Sequence, residues 1–321
     1  MSDVAWPRPR LVASACLELE ACRYNGQRVR APFLPRLRPW VELVPVCPEV
    51  ELGLGVPRPA IRLVQLCGAT RLVQPSSGRD LTEEMDAFAE EYLAGLGPVD
   101  GFLLKSRSPS CGPKDVKVYG ESGQPVGEKS AGRFAAAVRA RYPLAALEDE
   151  GRLTNQRLRH HFLTRLFQGA RLRALPESMD ALVGFHTAVK LLLLAHSEPG
   201  LRALGRVVAN ESRLPATLVK ERYATGFAEA LTRPPRTGAV INALLHAFGH
   251  FSEVLTPSEK GLFLSLLDAY RRNRSPVEAP LALIRAWAAR HGSEWVERQS
   301  FFLPYPAELQ DVADSAAGAA A

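Results

Sequence analysis

No histidine occurs before residue 160 and no cysteine after residue 111. The first absence denies the N-terminal half an imidazole base; the second denies the C-terminal half any thiolate site. C-x-x-C and H-E-x-x-H are missing as well, so the spacing supports no zinc site. Five cysteines, an odd number without an export signal, do not make a disulfide framework. The opening "MSDVAWPRPRLVASAC" has two prolines and two arginines where a signal peptide needs a continuous apolar segment of about 7–15 residues. The longest dense apolar run, "AVKLLLLAH", falls far short of the roughly 20 residues of a membrane span. No internal repeat is visible. These absences predict a cytoplasmic protein with no membrane partner.

What is present is a chain of 321 residues, long enough for two cores. Its apolar fraction of 46% is that of a globular protein, and 25 prolines with 24 glycines imply many defined turns. Charge divides the halves. Residues 1–150 carry 19 basic and 19 acidic side chains, so the net charge of +6 belongs to the second half. Residues 151–250 alone hold 14 basic against 6 acidic. Such an excess is either a polyanion footprint or an arginine-rich solvated surface.

The first half alternates short β-branched runs with helical stretches. "RLVASAC", "WVELVPVC", "AIRLVQLCGATRLVQP" and "DGFLLKS" read as strands. "DLTEEMDAFAEEYLAGLG" reads as a helix started by Asp80 or Thr82 and stopped by Gly95 or Gly97. A hairpin is expected around "YGESGQPVGE" and a helix near residues 131–141. This alternation predicts an α/β domain with a mainly parallel sheet. After "LEDEGR" the pattern becomes helical throughout, over roughly residues 155–169, 179–195, 200–211, 216–231, 237–254, 258–273 and 279–291. An all-α domain is expected there. The domains are expected to be 1–148 and 149–312, with 313–321, "ADSAAGAAA", a disordered tail.

Cys16, Cys47 and Cys111 share one placement, at or just beyond the carboxyl end of a predicted strand. In open α/β sheets the loops that bind ligands converge at that edge. The bland alternative is that they are reduced core thiols packing as small hydrophobes. Their neighbours, in "SACLELEACRYNG", "VCPEVELGLGVPRP" and "SRSPSCGPKD", are Gly, Pro, Ser and charged residues, which is not how core thiols are flanked. Cys67 in "LVQLCGAT" is, and it is assigned to the core. Cys22 stays ambiguous.

Three segments in order, "SACL…RYNG", "PVCPE" and "LKSRSPSCG", together with "GLGVPRPAIRLV", resemble the TudS family of iron–sulfur desulfidases. "EGRLTNQRLRHHFLTRLF", "FHTAVKLLLLAHSEPGLRALGRVVA", "HAFGHF" and "LPYPAEL" resemble the YbgA-like helical domain. The fused arrangement is similar to that of RudS-type tRNA 4-thiouridine desulfidases. The resemblance implies a 4Fe–4S cluster held by Cys16, Cys47 and Cys111, with one iron left open as a Lewis acid for a soft thiocarbonyl sulfur. The implied activity is non-redox conversion of 4-thiouridine in tRNA to uridine and hydrosulfide. A fourth thiolate from Cys22 would close the open iron.

With no histidine in this half, carboxylates and hydroxyls are the candidate proton carriers. Glu49, two residues beyond Cys47, is the candidate general base, and otherwise a solvated turn acid. Ser108 and Ser110 are the candidate substrate donors or relays, Ser108 being preferred for catalysis and the other for holding the loop. Lys105, Arg23 and Arg58 are candidates for balancing charge or touching substrate, and otherwise surface cations. Arg157, Arg165, Arg171 and Arg173 lie in the densest basic segment, alongside Arg159, His160 and His161. Arg157, His161 and Arg165 follow i, i+4, i+8 spacing, which predicts one helix face suited to tRNA phosphates or, failing that, a solvated face. His246 and His250, four apart, read as packing residues rather than a metal pair. The family pattern has a histidine near Val240, which weakens any histidine chemistry there. Two other functions fit the sequence: a desulfidase of free thiolated bases such as thiouracil, and a non-catalytic iron–sulfur RNA-binding sensor.

Overall fold

A computed structural model describes residues 6–66 and 68–310. The chain forms two compact units: residues 7–162, and residues 163 onward together with Trp6. The tail beyond residue 310 and Cys67 lie outside the described residues.

The first unit is α/β. Its strands are β1 (Arg10–Ser14), β2 (Glu42–Val46), β3 (Arg62–Leu66), β4 (Ala69–Gln74), β5 (Arg79–Asp80), β6 (Gly101–Leu104), β7 (Val116–Tyr119), β8 (Pro125–Ser130) and β9 (Ala146–Asp149). Its helices are α1 (Phe33–Leu37), α2 (Pro48–Glu51), α3 (Thr82–Gly95) and α4 (Arg133–Arg141). One sheet runs β2-β1-β6-β9 and is parallel throughout. All four residues of β6 are buried, as a parallel strand covered on both faces requires. A second sheet runs β5-β4-β3-β7-β8 and is mixed, antiparallel except where β3 meets β7.

From β1 the chain first moves to one side, to β2, and then returns to the other side, to β6 and β9. The topology therefore reverses beside β1, and a crevice opens at the carboxyl ends of β1 and β6. Met85, Ala89 and Leu93 form the buried face of α3, packed with Phe102, Leu104, Phe134 and Val138.

The second unit is helical: most of α5 (Gln156–Arg173), then α6 (Met179–Ala188), α7 (Lys190–His196), α8 (Glu198–Ala209), α9 (Ala216–Ala230), α10 (Thr237–Gly249), α11 (Pro257–Arg271), α12 (Glu278–His291) and α13 (Glu294–Glu297). The helix expected over 179–195 is two helices, bent by 57° at Val189. Val189 is fully buried, so packing sets the bend. Ser178 and Ser197 cap the helices they precede, and Thr256 with Glu259 forms a reciprocal capping box. Two buried clusters hold the bundle. One centres on Leu244, Phe251, Phe263 and Trp287, the other on Phe185, Leu204, Tyr223 and Phe227. Among the described residues no single helix is long and apolar enough to cross a membrane.

Candidate active site

The crevice is a cavity of about 380 Å³ whose wall includes Cys16, Cys22, Cys47 and Cys111. Cys16 follows β1 by two residues, Cys47 directly follows β2, and Cys111 sits on the loop after β6. Three separate chain segments thus deliver thiols to one space. Cys22 joins them, buried beside Cys16 and packed with Cys47.

The thiols crowd one another. Burial, then the proximity of Cys111, Cys22 and Cys47, pushes the Cys16 thiol well above its ordinary range. Burial and Cys47 push Cys22 up to about 12. Burial pushes Cys111 up to about 12 against the opposing hydrogen bond from Ser14. Uncharged at neutral pH, Cys16, Cys22 and Cys111 become thiolates only when a cationic group takes up the sulfurs. Among the described residues no three Cys, His, Asp or Glu side chains close in enough to cage a single ion. Thiols spread round a cavity, with no histidine among them, fit a polynuclear iron–sulfur group better than one ion.

Glu49 stands in the first turn of α2, at the cavity wall. Its Oε1 accepts from Ser110 Oγ at 2.7 Å, and its Oε2 accepts from Arg58 Nε at 2.8 Å. Ser110 has one hydroxyl proton and gives it to the carboxylate, so Ser108, 2.9 Å away, must donate to Ser110. The three residues form a directed chain from Ser108 to Glu49. Ser108 Oγ also accepts the Cys111 backbone N–H at 3.1 Å, which fixes the loop. Both roles foreseen for the serines therefore fall partly on Ser108, while fully buried Ser110 is the one that touches Glu49.

Two cations sit differently from expectation. Arg58 is only 7% exposed. It pairs with Glu49, donates to the carbonyls of Cys22 and Gly55, and lies 3.9 Å from the Cys47 sulfur. It is a buried positioning residue, because three acceptors converge on one guanidinium. Lys105 lines the cavity, but its ammonium is held by Glu150 at 2.5 Å and by Ser106. Those hydrogen bonds hold the Glu150 carboxyl below its ordinary range despite burial. Arg23 stays at the rim, its guanidinium 5.2 Å from the ring of exposed Tyr24.

A family model described as 2-thiouracil desulfurase matches residues 11–150, and one described as a protein of unknown function (DUF1722) matches residues 190–306. The chain is 30% identical over 155 residues to the uncharacterized protein YbgA of Escherichia coli (strain K12), spanning 47% of this chain and 92% of YbgA. It is 29% identical over 109 residues to the uncharacterized protein YbbK of Bacillus subtilis (strain 168), 32% of this chain and 72% of YbbK. Among solved structures it is 31% identical to the 4Fe–4S-dependent thiouracil desulfidase TudS, covering 46% of this chain and 93% of TudS, with a TM-score of 0.36. That relation rests on the identity and not on the superposition.

The chain belongs to the YbgA family and carries a 2-thiouracil desulfurase domain ahead of its helices.

In the desulfurase domain Ser14 and Glu150 escaped the sequence reading. Ser14 Oγ accepts the Lys105 backbone N–H at 2.9 Å and also reaches Cys111. Glu150, in the acidic segment "LEDEGR", directly follows β9 at the same sheet edge as the cysteines. Its place after a strand was the available signal.

On α5 the residues expected to share a phosphate-binding face differ in exposure. His161 is 6% exposed and Arg159 is 5% exposed. Phe162, Leu163, Leu166, Phe167 and Ala170 are buried too, so α5 is covered over most of its circumference. Arg171 turns inward to Gln168 and Ser300, between the rings of Trp6 and Phe185. Arg165 is half-buried, and only Arg157 and Arg173 of the expected contacts are exposed. His250 stacks on Trp295 at 4.3 Å, a packing role as expected.

Proposed function

We propose that the chain is a 4Fe–4S-dependent desulfidase of thiolated pyrimidines, with 4-thiouridine in tRNA as its substrate. The observation that carries this reading is Glu49, held between Arg58 and Ser110 at the wall of a cavity lined by four thiols. Cys16, Cys47 and Cys111 would hold the cluster, one from each of the three strand ends. When bound, the cluster supplies an open, soft Lewis-acidic iron for the thiocarbonyl sulfur.

The chain's own residues manage the protons. Glu49 takes a proton from the attacking water while its oxygen bonds to the ring carbon. Arg58 and Ser110 fix the orientation of that carboxylate at the cavity wall. The Ser108–Ser110 chain leads between the cavity and Glu49 and can return a proton to the departing pyrimidine system. The C=S bond breaks as the C=O bond forms, sulfur leaves as hydrosulfide, and water supplies oxygen and protons; no electrons are gained or lost. Arg23 and Tyr24 at the rim offer a flat, cationic surface to a pyrimidine ring.

The test is anaerobic incubation of cluster-reconstituted protein with thiolated tRNA, followed by nucleoside mass spectrometry. Loss of 4-thiouridine matched by gain of uridine is expected. A second reading, desulfidation of the free base, has its own support: the 2-thiouracil desulfurase match, and a cavity near the small end of ligand-site volumes, which run from about 300 to 1,000 Å³. Unchanged tRNA with turnover of free thiouracil would establish that reading instead.

A further inference from the structure

A second cavity, of about 590 Å³, adjoins the thiol site, the two sharing Ile61, Arg107 and Pro109 in their walls. Its lining is basic: Arg62, Arg107, Lys117 and Lys129, against the single acid Asp115. It is built on sheet, where β3 and β7 run parallel and β8 returns beside β7. Lys117 and Lys129 are directly opposite each other in the β7–β8 register, so both side chains leave the same face. Like charges in that position are destabilising. Asp115 offsets only one of them, pairing with Lys129 at 3.6 Å. Beside them the Arg62 guanidinium lies 4.8 Å from the centre of the Tyr119 ring, giving a planar, cationic platform at the edge of the groove.

A lysine pair with a single neighbouring acid, beside an arginine–tyrosine stack, is a combination that an anionic strand with flat bases would complete. We propose that this groove binds the single-stranded sugar–phosphate segment next to the base in the thiol cavity. Lys117, Lys129 and Arg107 would meet phosphates, and Arg62 with Tyr119 would receive a neighbouring base. The inference rests on the reading that the thiolated base arrives as part of a polynucleotide. It places a nucleic-acid contact on the desulfurase domain itself.

The test is fluorescence anisotropy of a labelled short oligouridylate with the cluster-loaded full chain, wild type against Arg62→Ala and Lys117→Glu, across a salt series. Lys117→Glu replaces a like-charge pair with an opposite-charge pair facing Lys129, so folding is not put at risk. Each variant is expected to bind about tenfold more weakly, and Lys117→Glu to flatten the salt slope by about 0.7 for one lost phosphate contact. Iron content and melting temperature should hold. Wild-type affinity in both variants would overturn the groove while leaving the proposed activity standing. A variant that loses iron or melts lower overturns it too, since the residue is then structural. No oligouridylate binding by the wild-type chain, with turnover of free thiouracil alone, would overturn both the groove and the tRNA reading.

Discussion

At the residue scale the site depends on Glu49, whose two carboxylate oxygens are each held by a named donor. Glu49→Gln preserves the shape and removes the base. Turnover should fall by about 10²–10⁴-fold, the usual contribution of general acid–base catalysis, while iron and sulfide content stay at wild-type levels. A variant with ordinary turnover would return Glu49 to a structural role and leave the reaction to another proton carrier. The thiols make a separate prediction. Ala at Cys16, Cys47 or Cys111 should abolish cluster binding, whereas Cys22→Ala should retain iron and sulfide. Loss of the cluster from Cys22→Ala would make it the fourth ligand and close the iron on which the proposal depends. Much of this site was legible, because Glu49, Ser108, Ser110 and three cysteines stand beside strand ends that one sequence already displays. Arg58 was not legible in its actual role. Nothing in "GVPRPA" reveals that three acceptors converge on its guanidinium, because one of them, the Cys22 carbonyl, comes from a distant part of the chain.

At the scale of elements, the loop carrying Ser108, Ser110 and Cys111 is shaped by the start of α4. The backbone N–H groups of Gly132, Arg133 and Ala135 donate to the carbonyls of Gly112, Pro109 and Ser110. These are the donors that a helix start leaves without an intrahelical partner, so loop and helix satisfy each other. Gly132 is held so close that a Cβ there would lie 2.5 Å from the Ser110 carbonyl oxygen. Gly132→Ala should therefore destabilise the protein by about 1–3 kcal/mol in urea unfolding and lower iron retention as the loop shifts. Gly261→Ala is the contrast: it lies in α11 with nothing within 4 Å of the added carbon, and about 0.8–1.0 kcal/mol of stabilisation is expected from helix propensity. Equal effects at the two sites would refute this account of the loop. The same scale shows where sequence reading stopped. Strands and helices with a clear period were found close to their observed positions. The short strand β9 is not legible in the sequence, since "ALED" has too few apolar residues to show a period. In the second sheet the strands of "AIRLVQLCGATRLVQP" and the hairpin at "YGESGQPVGE" were legible, but the parallel pairing of β3 with β7 was not, because pairing across so long a stretch of chain leaves no local mark.

At the scale of the whole molecule the two units answer acid differently. In the helical unit His196 is half-buried with Nδ1 against the Leu192 carbonyl, and desolvation of its ring pulls its pKa from 6.5 down to about 4. His186, buried against the Tyr223 hydroxyl, is also lowered by burial. Both rings bind protons less readily folded than unfolded, so the unfolded state gains as pH falls below 6.5. The unit keeps its full stability above pH 6.5 and loses it progressively toward pH 4, by on the order of 3 kcal/mol for His196 alone. In the α/β unit the held-down carboxyls of Glu150 and Asp80 also cost stability in acid, but only below their ordinary values of 4.5 and 3.8. Between pH 6.5 and 4.5 the helical unit should therefore weaken first. Trp6, Trp287 and Trp295 belong to that unit and Trp40 to the other, so tryptophan fluorescence in urea reads mainly the helices. Its midpoint should fall steadily between pH 6.5 and 4.5, with far less change in His196→Leu. An unchanged midpoint over that range would mean that His196 is not held neutral by burial. Retention of the cluster over the same range, followed by its absorbance, should be independent of the helical transition if the desulfurase unit keeps its own core when the helices loosen.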